Sequence, residues 1–271
     1  MDYQLIALDM DGTLLNHQHE ITKRCLEMIE KAQKIGKQIV ISTGRSLSEM
    51  QLYLDDLKMI RYMILESGAC IYDLWQQKMI YQKTFDSREI EKIYQTLIEQ
   101  DIMLHIFMDG YSYSPQECMH QMDKYQMGKY QEMFLQCVKP IKDVQEFFNK
   151  YQDHIEKVNF YHCSPQSREV SLQALEGIDV VKACVEISSL ELTPKGVDKG
   201  VGIKHLCQYL DIPLVQTIAV GDSHNDLEML KTVGLSIAMG NANEAVKAIA
   251  DKVVSDCEHD GVVEAIEQNL L

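Results

Sequence analysis

Short apolar runs alternate with helical patterns at both ends of this chain, and the alternation stops in the middle. Residues 3–9 (YQLIALD) and 38–43 (QIVIST) are aliphatic runs separated by a helical pattern over 21–35 that ends before Gly36. A second helical pattern over 47–57 leads to a third apolar run at 62–65. Strand, helix, strand in this order predicts a parallel sheet covered on both faces. After Gly68 the rhythm changes: CIYDLW, KMIYQKTF and IMLHIFMD read as extended segments with one helix near 87–100. A Met- and Tyr-rich stretch over 119–135, a helix over 141–151, an extended 157–162 and paired strands within VVKACVEISSLELTP follow. From Val197 the strand–helix rhythm returns, with a helix to about Leu210, the strands QTIAVGD and LSIAM, helices after Asn225 and Asn243, and a closing short strand and helix. The expected organisation is therefore one α/β core built from residues 1–83 and 194–271, interrupted by an inserted domain over 84–193.

The 271 residues suffice for a substantial buried core, and 46% hydrophobic with 25% charged residues is the balance of a folded soluble protein. The formal charge of −15 argues against nucleic acid as a partner, since no basic stripe offsets it. No run approaches the length of a membrane span. An acidic surface also repels a phosphorylated small molecule, unless a metal ion and a few local cations make the site positive. The eight cysteines form no C-x-x-C pair and no basic-then-apolar leader precedes Leu5, so reduced thiols in a cytoplasmic protein are expected. The oligomeric state is not written in the sequence.

Four places combine chemistry with position. Asp9 and Asp11, two apart at the end of the first strand, share a side, and Gly12 lets the chain turn behind them. The pair suits a carboxylate nucleophile beside a carboxyl acid/base, and an Asx turn before glycine is the competing explanation. Ser42-Thr43-Gly44-Arg45 follows the second strand, where a hydroxyl and free amides can hold phosphate, or where Ser and Thr simply cap a helix. Lys199 lies in PKGVDKG, where an ammonium could neutralise both a phosphate and a carboxylate; Lys195 competes for that role, and solvation of either is the plainer alternative. GDSHNDLEML, residues 221–230, sets Asp222 and Asp226 four apart across a turn, and their hard oxygens favour Mg²⁺. Capping accounts for one of these acids but not for the whole group. His224, inside this motif, is the histidine expected nearest a substrate. Acids for metal and nucleophile, hydroxyl and amide for phosphate, and lysine for charge make a phosphoryl-transfer site.

These residues resemble the haloacid dehalogenase superfamily, and within it the Cof-type, sugar-phosphatase-like hydrolases. The resemblance is carried by DMDGT at 9–13, STGR at 42–45, VDKG at 197–200, GDSHND at 221–226, MGNA at 239–242 and DGV at 260–262. It implies a Rossmann-like, doubly wound core with an inserted α/β cap of the C2 type. It implies Asp9 as a nucleophile forming an aspartyl-phosphate and Asp11 as general acid and base. Mg²⁺ would be held by the Asp9 carboxylate, the Asp11 carbonyl and Asp222, with Asp226 supporting the cluster. Thr43, Gly44, Lys199 and Asn225 would surround the transferred group, with Asn241 at the edge of the site and Arg45 adding local positive charge. The chain departs from the pattern at Glu66-Ser67-Gly68-Ala69, where Cof-type members commonly carry Asn before Gly-Ala.

The expected function is a Mg²⁺-dependent phosphatase acting on a small phosphorylated metabolite. Two alternatives share the core: a phosphotransferase or mutase passing the group to a sugar hydroxyl, and a non-catalytic phosphometabolite-binding module. In the inserted domain, the cluster of His105, Met108, Tyr111 and Tyr113 and the stripe Met119, Met122, Met127 and Met133 read as packing rather than metal ligation, with an adaptable substrate cover as the second possibility.

Overall fold

Aliphatic side chains fill the strand Leu5–Leu8 without alternation and all four are buried, as a strand covered on both faces requires. In the computed structural model, which describes residues 2–271, this strand lies inside an eight-stranded sheet. Across the sheet the order is Lys252–Val253, Leu235–Ala238, Thr217–Gly221, Leu5–Leu8, Gln38–Ser42, Tyr62–Leu65, Cys70–Asp73 and Lys78–Gln82. The strands from Lys252–Val253 through Tyr62–Leu65 run parallel, and Cys70–Asp73 turns back antiparallel. From Leu5–Leu8 the chain winds outward to Gln38–Ser42 on one side, and only after residue 198 does it fill the other side with Thr217–Gly221. Such a reversal marks, at the carboxyl ends of the neighbouring strands, the place where open α/β sheets bind ligands.

The chain divides into two units: one holds the chain up to Gly44, Tyr53–Tyr81 and Asp198–Leu271, the other Arg45–Leu52 and Gln82–Val197. The second unit carries a six-stranded sheet in the order Val181–Val185, Ser189–Thr193, Ile155–His162, Ile102–Met108, Tyr111–Pro115, Val138–Ile141. Alternation along its strands separates two faces. Leu104, Ile106, Val158, Phe160, Leu190 and Leu192 join an apolar core with Ile90, Ile93 and Leu97 of the helix Ser87–Ile98 and Phe148 of the helix Val144–Tyr151. Met103 and Tyr161 of the opposite face pack with Met119, Met122, Met127 and Phe134, so the methionine stripe is a second small core. Both sheets are flanked by helices, an α/β core of the Rossmann type with an inserted α/β domain.

One local expectation is corrected. The helical pattern over 47–57 yields only the helix Leu47–Met50, tightening to 3₁₀ over Gln51–Tyr53. The segment passes from one unit to the other between Leu52 and Tyr53. Residues 70–82, read as extended segments before the insertion, extend the core sheet by two strands. A helix at Pro165–Ala174 carried no apolar stripe that periodicity could detect. Its signal is the capping box of Ser164 and Ser167 with proline in the first turn.

Ile6 is fully buried in the central strand, paired beside Ile218 on one side and Ile39 on the other. Ile6→Ala is expected to destabilise the protein by ~2–5 kcal/mol in urea denaturation, the range for a large-to-small change that leaves a cavity. A loss under ~1 kcal/mol would show that the central strand is not close-packed.

Candidate active site

Asp9 is the first residue beyond Leu5–Leu8, and its amide donates to Val220 O at 3.1 Å, continuing the ladder to the neighbouring strand. This contact binds the carboxyl end of one strand to that of the other, directly before Gly221 and Asp222. Gly12 then turns the chain with φ +79°, and a Cβ there would stand 2.6 Å from Asp222 Oδ2, so only glycine fits. Thr13 Oγ1 donates to Asp222 Oδ1 at 3.2 Å.

Lys199 opens the helix Lys199–Leu210, capped by Asp198, whose side chain accepts from the Val201 amide at 2.9 Å. A cation at a helix N-terminus opposes the macrodipole, so helix stability does not explain it. A Cβ on Gly200 would stand 2.5 Å from Glu228 O, a close approach that sets this helix against Leu227–Thr232. The fully buried ammonium donates to Asp9 Oδ1 at 2.6 Å and to Asp226 Oδ1 at 2.7 Å. Asp226 Oδ2 accepts from the amides of Asp222 and Ser223, at 2.9 and 3.0 Å. Both oxygens of Asp226 are thus engaged in holding Lys199 and shaping the loop.

The carboxylates of Asp9, Asp222 and Asp226 lie within 4.8 Å of one another. Burial first, then the neighbouring Asp226 charge, raises Asp9 well above the usual carboxylate range, against the pull of Lys199. The same two causes push Asp222 up to about 7. Burial opposes the charge on Lys199, but Asp226 and Asp9 outweigh it and raise its pKa further. Three acids around one ammonium leave an excess of negative charge in a desolvated place, and the hard oxygen donors fit a divalent cation. Phosphatases of this superfamily are generally metal-dependent.

The other expected residues are placed as follows. Asp11 is partly exposed, with Oδ1 3.7 Å from His19 Nδ1. Thr43 is buried just beyond Gln38–Ser42; its amide donates to Ile64 O at 2.9 Å and its carbonyl accepts from Ser67 N at 3.0 Å, with Gly44 next in the same loop. Glu66 and Ser67 both adopt left-handed φ, 55° and 57°, a conformation in which Asn is more at home than Ser. Among the described residues, the buried Oδ1 of Asn225 has no hydrogen-bond partner. Asn241 donates from Nδ2 to Gly12 O at 2.8 Å and accepts from Cys257 N at 3.1 Å, so it braces the turn behind Asp9. His224 is exposed, its Nδ1 3.2 Å from Asn243 Nδ2 at the cap of Glu244–Ile249. Arg45 is buried and belongs to the second unit. Lys195, the competitor of Lys199, is exposed and paired with Asp179. Thr13 and Ser223 carry no local signal of a role; Thr13 meets its partner 209 residues away.

The haloacid dehalogenase-like hydrolase family model matches residues 6–266, and the chain belongs to that family. Its sequence relatives are phosphatases, and this chain is a hydrolase of that type. Phosphatase YwpJ of Bacillus subtilis is 29% identical over 98% of this chain and 100% of its own length. The 5-amino-6-(5-phospho-D-ribitylamino)uracil phosphatase YitU of the same organism is 26% identical over 97% of this chain and 96% of its own. A solved haloacid dehalogenase-like hydrolase from B. subtilis superposes with a TM-score of 0.88 at 27% identity, covering 98% of this chain and 99% of that one.

Lys199→Met would leave Asp9 and Asp226 buried without their cation. A loss of ~3–5 kcal/mol is expected near neutral pH, as for other broken buried pairs. The uncompensated carboxylates would bind protons more tightly folded than unfolded, so the deficit should shrink as pH falls from 7.5 to 5. Equal deficits at both pH values in chemical denaturation would overturn this account of the ammonium.

Proposed function

We propose that the protein is a Mg²⁺-dependent phosphatase that hydrolyses monoesters of small phosphorylated metabolites through an aspartyl-phosphate, an acyl phosphate on Asp9. The observation that carries this reading is the buried Lys199 ammonium bridging Asp9 and Asp226 beside the crowded Asp222. The similar phosphatase named for a phosphorylated ribitylaminouracil supports a small-metabolite substrate.

Asp9, Asp222 and the Asp11 carbonyl would hold the cation, with Asp226 in support through Lys199 and the loop amides. When bound, Mg²⁺ supplies positive charge that offsets these acids and attracts the substrate phosphate. Asp9 then attacks phosphorus with one carboxylate oxygen, forming an O–P bond as the bond to the ester oxygen breaks. Asp11, partly exposed and outside the buried cluster, gives its proton to that leaving oxygen. It next takes a proton from water, whose oxygen attacks phosphorus; the bond to Asp9 breaks and inorganic phosphate leaves. Lys199 pulls Asp9 toward its ionised form, against its burial, and offsets charge on the transferred group. Thr43 and Gly44 offer hydroxyl and backbone at the end of the adjacent strand. Asn225 can offer its Nδ2 to phosphate; its Oδ1 has no partner among the described residues.

Asp9→Asn is expected to lower Mg²⁺-dependent release of phosphate from para-nitrophenyl phosphate by about a thousandfold or more, as loss of a nucleophile does. A variant retaining most of the activity would sink the covalent route. Adding Mg²⁺ to metal-free protein should raise the Tm more at pH 8 than at pH 6. Asp222, held up to about 7, must lose its proton to bind the ion, so protons compete at the lower pH. Equal shifts would remove Asp222 from the metal site.

A further inference from the structure

Two turns of the first unit, far apart in the chain, are rich in side chains that ligate metals: His17-Gln18-His19-Glu20 and Asp256-Cys257-Glu258-His259. Asn16 Oδ1 shapes the first by accepting from the Gln18 and Glu20 amides at 3.0 and 2.9 Å. Asp256 shapes the second: its carbonyl accepts from the amides of His259 and Gly261, each at 3.1 Å, and its Oδ1 from the Glu258 amide at 3.0 Å. The two turns meet where the His17 amide donates to Glu258 Oε1 at 2.7 Å, across 241 residues of sequence. The Cys257 amide donates to Asn241 Oδ1 at 3.1 Å, which fixes the backbone that carries the thiol.

At this meeting point a His17 ring nitrogen, the Cys257 sulfur and a Glu258 carboxylate oxygen lie within 4.8 Å of one another. His17 Nδ1 and Glu258 Oε1 are 3.3 Å apart. Around a tetrahedral zinc ion, with bonds of about 2.0 Å to nitrogen or oxygen and about 2.3 Å to sulfur, ligand atoms stand roughly 3.3–3.6 Å from each other. The nitrogen and oxygen already have that spacing, and a short side-chain movement brings the sulfur to it. Cys257 is a free thiol, 5% exposed, and forms the floor; His17 is exposed and Glu258 stands at the rim. A cation can therefore enter from solvent and keep a water as its fourth ligand. A buried cysteine is ordinarily a small apolar residue, and a surface pair accounts for His17 with Glu258. Neither accounts for all three ligand types converging, and among the described residues no other such cluster combines imidazole, thiol and carboxylate.

We propose that His17, Cys257 and Glu258 form a second metal site, separate from the acidic cluster of Asp9, Asp222 and Asp226, that takes a divalent cation of borderline softness, Zn²⁺ by its chemistry. Thiolate and imidazole favour Zn²⁺ over Mg²⁺, which takes hard oxygens, so the two sites select different ions. On binding, the Cys257 thiol releases its proton to solvent and joins the ion as thiolate. The ion staples the turn at 16–20 to the turn at 256–259. Asn241 carries the restraint further, since the side chain that accepts from Cys257 also donates to Gly12 O at 2.8 Å. The site is structural and supplies no step of the hydrolysis.

Co²⁺ tests the site, because a thiolate bound to it gives a sulfur-to-cobalt charge-transfer band in the near ultraviolet that oxygen ligands do not give. Titrating Co²⁺ into the reduced wild-type protein, with excess Mg²⁺ present to occupy the acidic cluster, is expected to produce this band, and equimolar Zn²⁺ to bleach it. Cys257→Ser is expected to abolish the band. His17→Ala and Glu258→Gln should each raise the Co²⁺ concentration at half-saturation by about tenfold or more, since losing a ligand costs at least what losing its outer partner does. These two changes lie at the surface and carry the test if Cys257→Ser does not fold. Absence of the band in the wild type, its survival in Cys257→Ser, or an unchanged midpoint in either surface variant would overturn the proposal, and any cobalt bound would then belong to other cysteines. No turnover is measured, so the outcome stands apart from the phosphatase reading.

Discussion

A single ammonium, Lys199 Nζ, holds the core of this protein in its working arrangement. It is fully buried and reaches two carboxylates, Asp9 at the end of the first strand and Asp226 after the strand Thr217–Gly221. Burial of any one of these charges alone would be prohibitive; together they tolerate desolvation because each satisfies another. Asp226 passes the constraint on through its second oxygen, which receives the amides of Asp222 and Ser223 and so fixes where the Asp222 carboxylate stands. Charge, loop shape and helix position are consequences of one cluster.

The sheet topology makes that cluster possible. Leu5–Leu8 and Thr217–Gly221 are hydrogen-bonded neighbours although more than two hundred residues separate them. Their shared ends present Asp9 and Asp222 side by side, while Gly12 allows the backbone to pass close to Asp222. Thr13 and Asn241 tie the same turn to the later part of the chain. The excess acidity left at this point is what a divalent cation would relieve, and the overall negative charge of the protein does not enter.

Much of this was legible beforehand because strands buried on both faces leave an aliphatic signature, and residues 3–9, 38–43, 62–65 and 216–222 carry it plainly. The acids and the lysine stood out by position, immediately after such strands or at the return of the rhythm. Less legible were segments whose residues serve two surroundings. The pattern over 47–57 reads as one helix, but its apolar side chains divide between two units. The helix Pro165–Ala174 has an exposed Val170 and no stripe, so only its cap announces it. Ser67 differs from the family's Asn, but that it occupies a left-handed position beside Thr43 emerges only from the fold.

By itself the sequence determined the alternation of elements, the interruption of the core and the chemical types available at strand ends, because these depend on local periodicity and on residue chemistry. Composition and position alone left Lys199 and Lys195 open and the resemblance pointed to Lys199; the tertiary structure supplies the physical difference, burying Lys199 between two acids and leaving Lys195 paired with Asp179 at the surface. Spacing alone does not distinguish Asp222 from Asp226, four residues apart; only the resemblance separates their roles. Only the folded loop engages both oxygens of Asp226 and leaves Asp222 facing Thr13, with burial and a neighbouring charge raising its pKa. Such distinctions rest on desolvation and on partners far away in the chain, and those exist only once the strands have paired.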